Sequence, residues 1–433
     1  MGGIGDYSGS LVLELPIAEA AFVAVQSTRE PDIVIVSNAE HEKDIRRVQL
    51  TGRQWAELFS SDYPTARNKL HEQPEAAWAA YVLGPVIVLL RETEARLPGG
   101  LRIFVNSHVP EGKGVSSSAA LEVAAIRAAA TLAGQELDGQ SIARLAQRAE
   151  NFVVGAPCGI MDQMTSALGR ANELLALRCQ PAIVEGFVAI PSEIAFWGVD
   201  SGIRHAVTGS DYASVRVGAF MGYRMIAEAA GLKIDIPDDA PGHVTIDDPI
   251  WNGYLANITP AQFSEQYSKL IPEQISGRDY LRRYAGTTDP VTRIDPERIY
   301  AVRRPTLHPI QENERAGQMR RLLREMVTND SLLQMGELMY AAHASYSACG
   351  LGSGGTDLLV KLVSNTGLER GLYGAKITGG GSGGTVAILG RANAQDAVGR
   401  IAAQYSMSTG RPAYVFQNSS PGACATNVVQ LRW

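Results

Sequence analysis

The chain has 433 residues, of which 45% are hydrophobic and 19% are charged, and its formal net charge is −6. This composition is typical of a globular protein, and the length predicts two domains because single hydrophobic cores stop growing at about 250–300 residues. The acidic balance without a basic stripe argues against nucleic acid as a partner.

The cysteines and the apolar runs indicate the compartment. The four cysteines are far apart and form no C-x-x-C pair, which argues against a disulfide framework or a zinc site and favours a reducing compartment. No basic segment followed by an apolar stretch opens the chain, so no secretion signal is predicted. The most apolar run, 81–90, is about half of a bilayer span and predicts a core segment. We therefore expect a cytoplasmic protein with no membrane partner.

Strands and helices are predicted along the whole chain. Early strands are expected at 10–26 and 32–38, and another at 101–110. The alanine-rich run 116–134 predicts a helix buried on nearly every side, and 141–155 predicts a helix with Ser141 as its N-cap. The remaining predicted elements are a strand at 194–203, an insertion with short helices at 232–300, helices at 310–328 and 331–347, and a strand at 384–390. The elements intermix without strict βαβ alternation, which favours an α+β fold.

The stretch PEGKGVSSSAA (110–120) places spaced glycines and three serines before the alanine-rich helix. Gly112 and Gly114 allow a close backbone approach, and the first turn of a helix favours an anion. A phosphate cradle is therefore predicted, with a flexible turn and serine cap as the alternative. The loop is neither a Walker A motif nor G-x-G-x-x-G. Lys113 could reach a phosphate or be solvated.

A second glycine-rich stretch, KITGGGSGGT (376–385), has five glycines in the six residues 379–384. Such a run costs much backbone entropy and persists where a chain passes tightly against something. Alone it could be a turn between strands, but together with the first loop it predicts a second wall of the same site.

These stretches resemble three signatures of the GHMP kinases, a family of sugar and mevalonate kinases. PEGKGVSSSAA resembles the second signature and KITGGGSGGT the third, while AENFVVGAPCGIMDQ (149–163) is similar to the galactokinase segment with the catalytic acid. Within the family, MGGIGDYSGSLVLELPI (1–17) and FWGVDSGIRH (196–205) are most similar to the kinase domain of plant-type L-arabinokinases.

The resemblance implies a two-domain α+β fold with the active site between the domains. Residues 1–210 would form an N-terminal domain that binds ATP and sugar and carries the catalytic aspartate. Residues 211–433 would form a ferredoxin-like C-terminal domain. The implied activity is transfer of the γ-phosphate of ATP, with Mg²⁺, to the anomeric hydroxyl of a small-molecule sugar.

The resemblance also assigns roles to single positions. Asp162 matches the catalytic base, Arg204 an arginine beside the site, and Glu150 the acid that binds magnesium. The other matched positions are the magnesium hydroxyls Ser117 and Ser118, the phosphate-loop residues Gly112, Lys113, Gly114 and Ser116, the second-loop residues Gly379, Gly380, Gly381 and Gly383, and the sugar-contacting residues Gly3, Ile4, Asp6, Gly159 and Tyr212. On chemistry alone, Asp162 and Asp6 would more often be turn caps. His205 is predicted to be structural, because neighbouring Arg204 disfavours its charged form.

Two departures from the family pattern bear on the substrate. Galactokinases carry a Glu-His pair where this chain has Gly3-Ile4, and the resemblance places that pair at the exocyclic hydroxymethyl of the sugar. L-Arabinopyranose lacks that group, and a bound pentose would therefore leave the buried Glu-His pair without hydrogen-bond partners. Replacing the pair by Gly3 and Ile4 removes this penalty. We therefore expect L-arabinose as substrate and L-arabinose 1-phosphate as product. Family members also carry a strand and an arginine upstream of the first signature, whereas Met1 lies inside it. Either this sequence starts after that arginine or, if the protein lacks it, we expect weak activity.

Three alternatives stay open from the sequence. The chain could be a galactokinase, a non-catalytic sensor of sugar and ATP on the same fold, or a uronic acid kinase. The intact run Ser116–Ala120 and the presence of Asp162 favour an enzyme over a sensor. A uronic acid kinase would need a basic residue near Gly3-Ile4, and the sequence has none there.

Overall fold

The computed structural model describes residues 1–39, 45–204 and 210–431, so His205 lies outside the described residues. The strands are β1 Leu11–Glu14, β2 Ala21–Thr28, β3 Ile33–Ala39, β4 Arg46–Leu50, β5 Gly100–Ser107, β6 Glu173–Arg178, β7 Ile183–Ala189, β8 Ile194–Asp200, β9 Lys233–Asp235, β10 Gly242–His243, β11 Thr245–Asp247, β12 Gln274–Ser276, β13 Gly286–Thr287, β14 Ile299–Ala301, β15 Leu372–Ile377, β16 Thr385–Arg391 and β17 Val415–Phe416. The helices are α1 Gly52–Ser60, α2 Tyr63–His71, α3 Ala80–Glu92, α4 Ser117–Leu132, α5 Gly139–Arg148, α6 Met161–Leu168, α7 Ser210–Ala229, α8 Pro260–Gln262, α9 Gly277–Tyr284, α10 Arg303–Arg324, α11 Asn329–Ala348, α12 Gly354–Thr366 and α13 Gln395–Thr409. This mixture of helices and strands matches the predicted α+β class.

The chain divides into two compact units. Unit 1 consists of Met1–Glu14, Gly112–Gly114 and Glu173–Gln417, and unit 2 consists of Leu15–Glu111, Val115–Asn172 and the chain from Asn418 onward. The predicted boundary at residue 210 concerns the domains of the family and stays a prediction.

Unit 2 is built on a four-stranded sheet in the order β2-β5-β3-β4. Strand β5 runs antiparallel to β2 and parallel to β3; helix α4 packs on β2, and helix α3 packs on α4. The helical stretch Pro74–Glu92 is long and apolar enough to cross a membrane by length and composition, and 56% of it is buried inside the protein. Core helices pass the same test, and the buried residues Val82–Leu89 agree with the predicted core segment.

Unit 1 contains a four-stranded antiparallel sheet in the order β15-β16-β8-β17 and a three-stranded sheet in the order β1-β6-β7. Helices α11 and α12 pack on β15, and α7 packs on α10. The predicted insertion at 232–300 contains α8 and α9, as expected for short helices, and also the short strands β9 to β13. Its aromatic side chains share one hydrophobic core with α7, so the insertion is part of this unit.

Helix α5 begins one turn earlier than predicted. Asp138 is its N-cap and accepts a hydrogen bond from the backbone N–H of Ser141 at 2.7 Å, so Ser141 is the third residue of the helix. The prediction of Ser141 as the cap was wrong, because Asp138 caps the helix three residues earlier and thereby places Ser141 inside the first turn. The helix ends in a π-helical turn, Ala149–Val154, which contains Glu150.

Two glycines allow α11 to lie directly on strand β15. A Cβ atom at Gly336 would lie 2.1 Å from the carbonyl oxygen of Tyr373, and one at Gly374 would lie 2.6 Å from the Cα of Gly336. Both partners are backbone atoms, which cannot rotate away as a side chain can. Glycine at 336 is therefore required by the packing, although alanine is the better helix former.

A buried histidine on α10 fixes the first residues of the chain. His308 lies 3.1 Å through Nε2 from the carbonyl oxygen of Gly3 and 2.7 Å through Nδ1 from the hydroxyl of Ser345. Because a carbonyl only accepts, Nε2 carries the proton and Nδ1 accepts from Ser345. Burial lowers the pKa of His308 to about 4, so the ring is neutral at pH 7.

Replacing Gly336 by alanine should lower the free energy of unfolding by about 1–3 kcal/mol, because the new methyl group meets backbone. The control is Gly399→Ala in α13, where a Cβ has no heavy atom within 4 Å. That change should raise stability by about 0.5–1 kcal/mol through helix propensity. Urea denaturation of both variants measures the effect, and equal stabilisation by the two changes would contradict the packing described.

The neutral His308 makes stability fall in acid. The unfolded chain takes up a proton near pH 6.5 that the folded chain binds only near pH 4, so acid favours unfolding. This group alone should lower the free energy of unfolding by about 2 kcal/mol between pH 6.5 and 5. Urea denaturation at both pH values should show a correspondingly smaller decrease for His308→Gln, and an equal decrease in both proteins would refute the assignment.

Candidate functional site

The second glycine-rich loop, in unit 1, follows strand β15. Four of its glycines, Gly379, Gly381, Gly383 and Gly384, have positive φ, and so does Ser382 at 59°. A Cβ at Gly383 would lie 2.8 Å from the carbonyl oxygen of Ile203, so this backbone runs through a space that side chains could not share. The run of glycines is therefore needed for conformation and for close contact together.

The two glycine-rich loops meet inside unit 1, as the predicted shared wall requires. A Cβ at Gly379 would lie 3.2 Å from the carbonyl oxygen of Gly114, and the Thr385 hydroxyl donates to the carbonyl of Lys113 at 2.8 Å. Gly112 and Gly114 both have positive φ, at 73° and 66°. Their free rotation lets the first loop lie flat on the second.

The side chain of Lys113 is paired with a carboxylate. Its ammonium donates to Asp200, which is fully buried at the end of β8. Asp200 also accepts from the backbone N–H of Gly202 at 3.0 Å. The pair joins the first loop to strand β8, which lies beside the second loop. The sequence left open whether Lys113 reaches a phosphate or is solvated, and the structure adds a third role, an ion pair within the protein.

Arg204 and Tyr212 belong to unit 1 and lie in the chain before and after residues 205–209, which are outside the described residues. The exposed side chain of Arg204 lies against Gly112, where a Cβ would come within 2.8 Å of its Cγ. Tyr212 is buried on α7, with its ring 6.1 Å from that of Tyr7. Arg204 is therefore beside the first glycine loop, and Tyr212 is beside the turn that holds Asp6.

The first residues of the chain form a tight turn in unit 1. Asp6 lies in a short 3₁₀ helix, Asp6–Ser8, and is 1% exposed. Ile4 has a φ of 49° and is fully buried in the core. Gly3 faces Tyr346, whose hydroxyl would lie 2.0 Å from a Cβ at position 3 and donates to the carbonyl of Gly379 at 3.0 Å. No side chain fits at position 3 while Tyr346 holds this place.

In unit 2, the three predicted serines lie at the start of α4. Ser116 has a left-handed φ of 60°, and the helix begins at Ser117. The Ser116 side chain makes no capping hydrogen bond, which leaves the first N–H groups of this 16-residue helix available to an anion. Ser118 turns its hydroxyl to the carboxylate of Glu150 and donates a hydrogen bond to it.

Glu150 lies beside a second buried carboxyl group, that of Glu122 on α4. Glu122 is fully buried and Glu150 is 3% exposed, and the side-chain amide of Gln163 donates to Glu150 at 2.6 Å. Burial and the Asp162 charge raise the pKa of Glu150 to about 7, against the hydrogen bond from Ser118. Burial and the Glu150 charge raise the pKa of Glu122 much further, so Glu122 is protonated and donates to Glu150.

The turn that leads to Asp162 is fixed on the same π-helical segment. The Asn151 side chain accepts from the backbone N–H of Cys158 at 2.8 Å and donates to its carbonyl at 3.3 Å. The buried Gly159 follows, and Asp162 stands in the first turn of α6. Asn151 therefore holds the loop that lies between Glu150 and Asp162 in the chain.

The cluster around Glu150 suits a magnesium ion. Among the residues that the structure describes, no group of three or more His, Cys, Asp or Glu side chains is arranged to hold a metal. Mg²⁺ needs less than that, because it is usually held by one or two carboxylates plus substrate phosphates and water. Glu122 Oε1 and Gln163 Oε1 are buried and have no hydrogen-bond partner within the described ranges. These oxygens, together with Glu150 and Ser118, fit a hard cation.

The predicted residues thus fall into two groups. Unit 1 holds Gly3, Ile4, Asp6, Arg204, Tyr212, the loop 112–114 and the loop 379–384, while unit 2 holds Ser116–Ser118, Glu150, Gly159 and Asp162. Sequence reasoning missed Glu122, Asn151, Gln163 and Tyr346. A signal existed for Glu122, because it is an acidic residue on a helix that is otherwise apolar on nearly every side.

A family model and related sequences are similar to this chain, and they point to the same family that the sequence motifs resemble. Residues 80–170 match the family described as GHMP kinases N terminal domain. An L-arabinokinase of Arabidopsis thaliana is 41% identical over 478 aligned positions, which cover 100% of this chain and 46% of that protein. The chain therefore spans about half the length of this relative. A galactokinase of Chloroflexus aggregans is 28% identical over 410 positions, covering 94% of this chain and 85% of that protein.

A solved structure shares the fold. The crystal structure of Lactococcus lactis galactokinase, complexed with galactose, superposes with a TM-score of 0.72 and 19% identity, covering 97% of this chain and 91% of that one. The predicted GHMP kinase fold is confirmed by this likeness. Because residues 80–170 match the N-terminal domain of the family and the L-arabinokinase relative aligns with the whole of this chain, this chain belongs to the GHMP kinase family, in the branch of galactokinases and L-arabinokinases.

Proposed function

We propose that this chain is an ATP-dependent sugar kinase that phosphorylates the anomeric hydroxyl of L-arabinose to give L-arabinose 1-phosphate. The observation that carries the proposal is the buried group of Ser118, Glu150 and Gln163, with Asp162 close enough for its charge to raise the pKa of Glu150. A buried anionic group beside an uncapped helix N-terminus suits a magnesium nucleotide. The L-arabinokinase relative supports the choice of reaction.

The residues around the phosphate would act mainly by position and charge. MgATP would supply the phosphoryl group and the charge that neutralises it. The N–H groups at the start of α4 and the backbone of Gly112–Gly114 would bind phosphate oxygens. Ser118 and Glu150 would hold the metal, with Ser117 as a further hydroxyl. Because Asp200 already pairs with Lys113, the loop would recognise phosphates chiefly through its backbone.

Asp162 would accept or orient the proton of the sugar hydroxyl. Phosphoryl transfer needs little covalent help, and a carboxylate that positions the nucleophile is the usual protein contribution. The first turn of α6 holds the carboxylate in place, and Asn151 fixes the loop before it. Asp6, Gly159 and Tyr212 would contact the sugar, and Arg204 would add positive charge beside the first loop.

The space at positions 3 and 4 supports a pentose. Tyr346 fills the volume that a side chain at position 3 would need, and Ile4 is fully buried in the core. Neither position offers a polar side chain to the exocyclic hydroxymethyl of a hexose. Burying that hydroxyl without a partner costs about 1–3 kcal/mol, which favours L-arabinose over D-galactose.

A coupled assay for ADP should give a kcat/KM for L-arabinose at least about tenfold above that for D-galactose. Asp162→Asn should lower kcat for L-arabinose about 100-fold or more, because the amide cannot accept the proton. The control is Asp235→Asn, which changes an exposed aspartate of β9 and should leave the rate unchanged. A galactose kcat/KM equal to or above that for L-arabinose would reject the proposed substrate, and an active Asp162→Asn variant would reject the proposed base.

The two buried glutamates should respond differently to amide substitution. Glu150→Gln should raise the free Mg²⁺ concentration for half-maximal rate about tenfold or more, because a charged ligand is lost. Glu122→Gln should change it by less than about threefold, because protonated Glu122 is already a neutral donor. Initial rates at pH 7 across a magnesium titration measure both. If the two substitutions give the same magnesium dependence, the assignment of Glu150 as ligand is wrong.

A further inference from the structure

The segment 232–300 of unit 1 reaches the turn Asp6–Gly9 in two ways, directly through Tyr254 and indirectly through Arg216 of α7, which is bonded to Asp289. The direct contact is that of Tyr254, whose Cβ and Cγ would both lie 2.9 Å from a Cβ at Gly9. Gly9 has a φ of 82°, so the turn both needs glycine for its conformation and presents bare backbone to this ring. The segment therefore closes over the end of the turn.

The indirect contact lies beneath Tyr7. The guanidinium of Arg216 on α7 lies 5.4 Å from the centre of the Tyr7 ring and 5.7 Å from that of Phe220. Asp289 accepts two parallel hydrogen bonds from Arg216, at 2.8 Å and 2.7 Å. Arg216 is 5% exposed and Asp289 is 1% exposed. A buried, bidentate ion pair thus supports the ring of the residue next to Asp6.

Each contact rests on a loop built around one aspartate. Asp289 also accepts hydrogen bonds from the backbone N–H groups of Val291 at 3.1 Å and Thr292 at 3.3 Å. Against the opposing effect of burial, the Arg216 charge and hydrogen bonds lower the pKa of Asp289, so the pair is ionised at pH 7. This loop cannot move without breaking the ion pair under Tyr7.

The loop that carries Tyr254 has the same construction. Asp248 accepts from the backbone N–H groups of Trp251 at 2.8 Å and Gly253 at 2.9 Å, and from the hydroxyl of Tyr223 at 2.7 Å. Tyr223 and Arg216 are seven residues apart on α7, which is two helical turns, so both loops are fastened to one side of that helix.

We propose that segment 232–300 positions the Asp6–Gly9 turn for sugar recognition, through the Asp289–Arg216 pair under Tyr7 and the Tyr254 ring on Gly9. The inference rests on the proposed function, in which Asp6 contacts the sugar. Asp289, Arg216 and Tyr254 are positioning residues, since they act on the sugar through Tyr7 and Gly9. On this proposal, segment 232–300 strengthens the binding of the sugar and leaves the binding of the nucleotide unchanged.

The test is Asp289→Asn, which keeps the shape of the side chain and removes its charge. The KM for L-arabinose should rise about tenfold or more, because the turn is no longer held in place. The KM for ATP, measured at saturating sugar, should stay within about twofold. Titration calorimetry with L-arabinose alone should show the same loss of affinity without turnover.

The matched control is Glu297→Gln, which removes the exposed ion pair with Arg278 in the same segment and should change neither KM. Tyr254→Ala is the second variant; it opens the Gly9 contact and leaves the ion pair intact, in case Asp289→Asn does not fold. Thermal melting shows which variants are folded. The sugar KM should rise in each folded variant of the two.

The outcomes separate the two proposals. If the wild-type protein phosphorylates L-arabinose but the folded variants keep their sugar KM within about twofold, the positioning role is overturned and the proposed function stands. A parallel rise of the ATP and sugar KM would also overturn it, because a general distortion gives that result. If the wild-type protein phosphorylates neither L-arabinose nor D-galactose, both proposals are overturned.

Discussion

The carboxyl groups of Glu122 and Glu150 are buried side by side in unit 2, and the candidate magnesium site depends on this pair. Burial and the Glu150 charge keep Glu122 protonated, while burial and the Asp162 charge raise the pKa of Glu150 to about 7. The protein keeps this costly arrangement beneath the uncapped start of α4. A cation bound next to Glu150 would lower the free-energy cost of burying its carboxylate in ionised form. The arrangement is therefore better suited to a magnesium nucleotide than to a core that binds nothing.

Unit 1 handles charge in the opposite way, by neutralising it in pairs. Lys113 is joined to Asp200, and Arg216 to Asp289, so both cations are occupied before any ligand arrives. Recognition of phosphate there would depend on backbone N–H groups exposed by glycines. Recognition of sugar would depend on a small turn held by its neighbours. Both the glycine loops and this turn are held by their neighbours in the protein. Such rigid elements favour precise placement of a ligand over strong electrostatic attraction to it.

The sequence was a good guide to the elements and to the glycine loops. Helices α4 and α11 follow from their composition and period, and the loop 379–384 from a run that few other situations tolerate. The cap of α5 was misplaced because Asp138 and Ser141 are both good caps, and only the backbone decides between them. Glu122 and Tyr346 escaped notice because their significance lies in what they touch: one shares a proton with Glu150, the other fills the space of a missing side chain. Such contacts join residues far apart in sequence, where periodicity carries no information.

The measurement that tests the account most directly is NMR of the reaction mixture containing the protein, MgATP and L-arabinose. The account predicts that a phosphorus signal coupled to the anomeric proton of L-arabinose appears as ADP forms, and that it is absent with Asp162→Asn. ADP formed at the same rate without sugar, or a phosphate attached to any other position of L-arabinose, would contradict it.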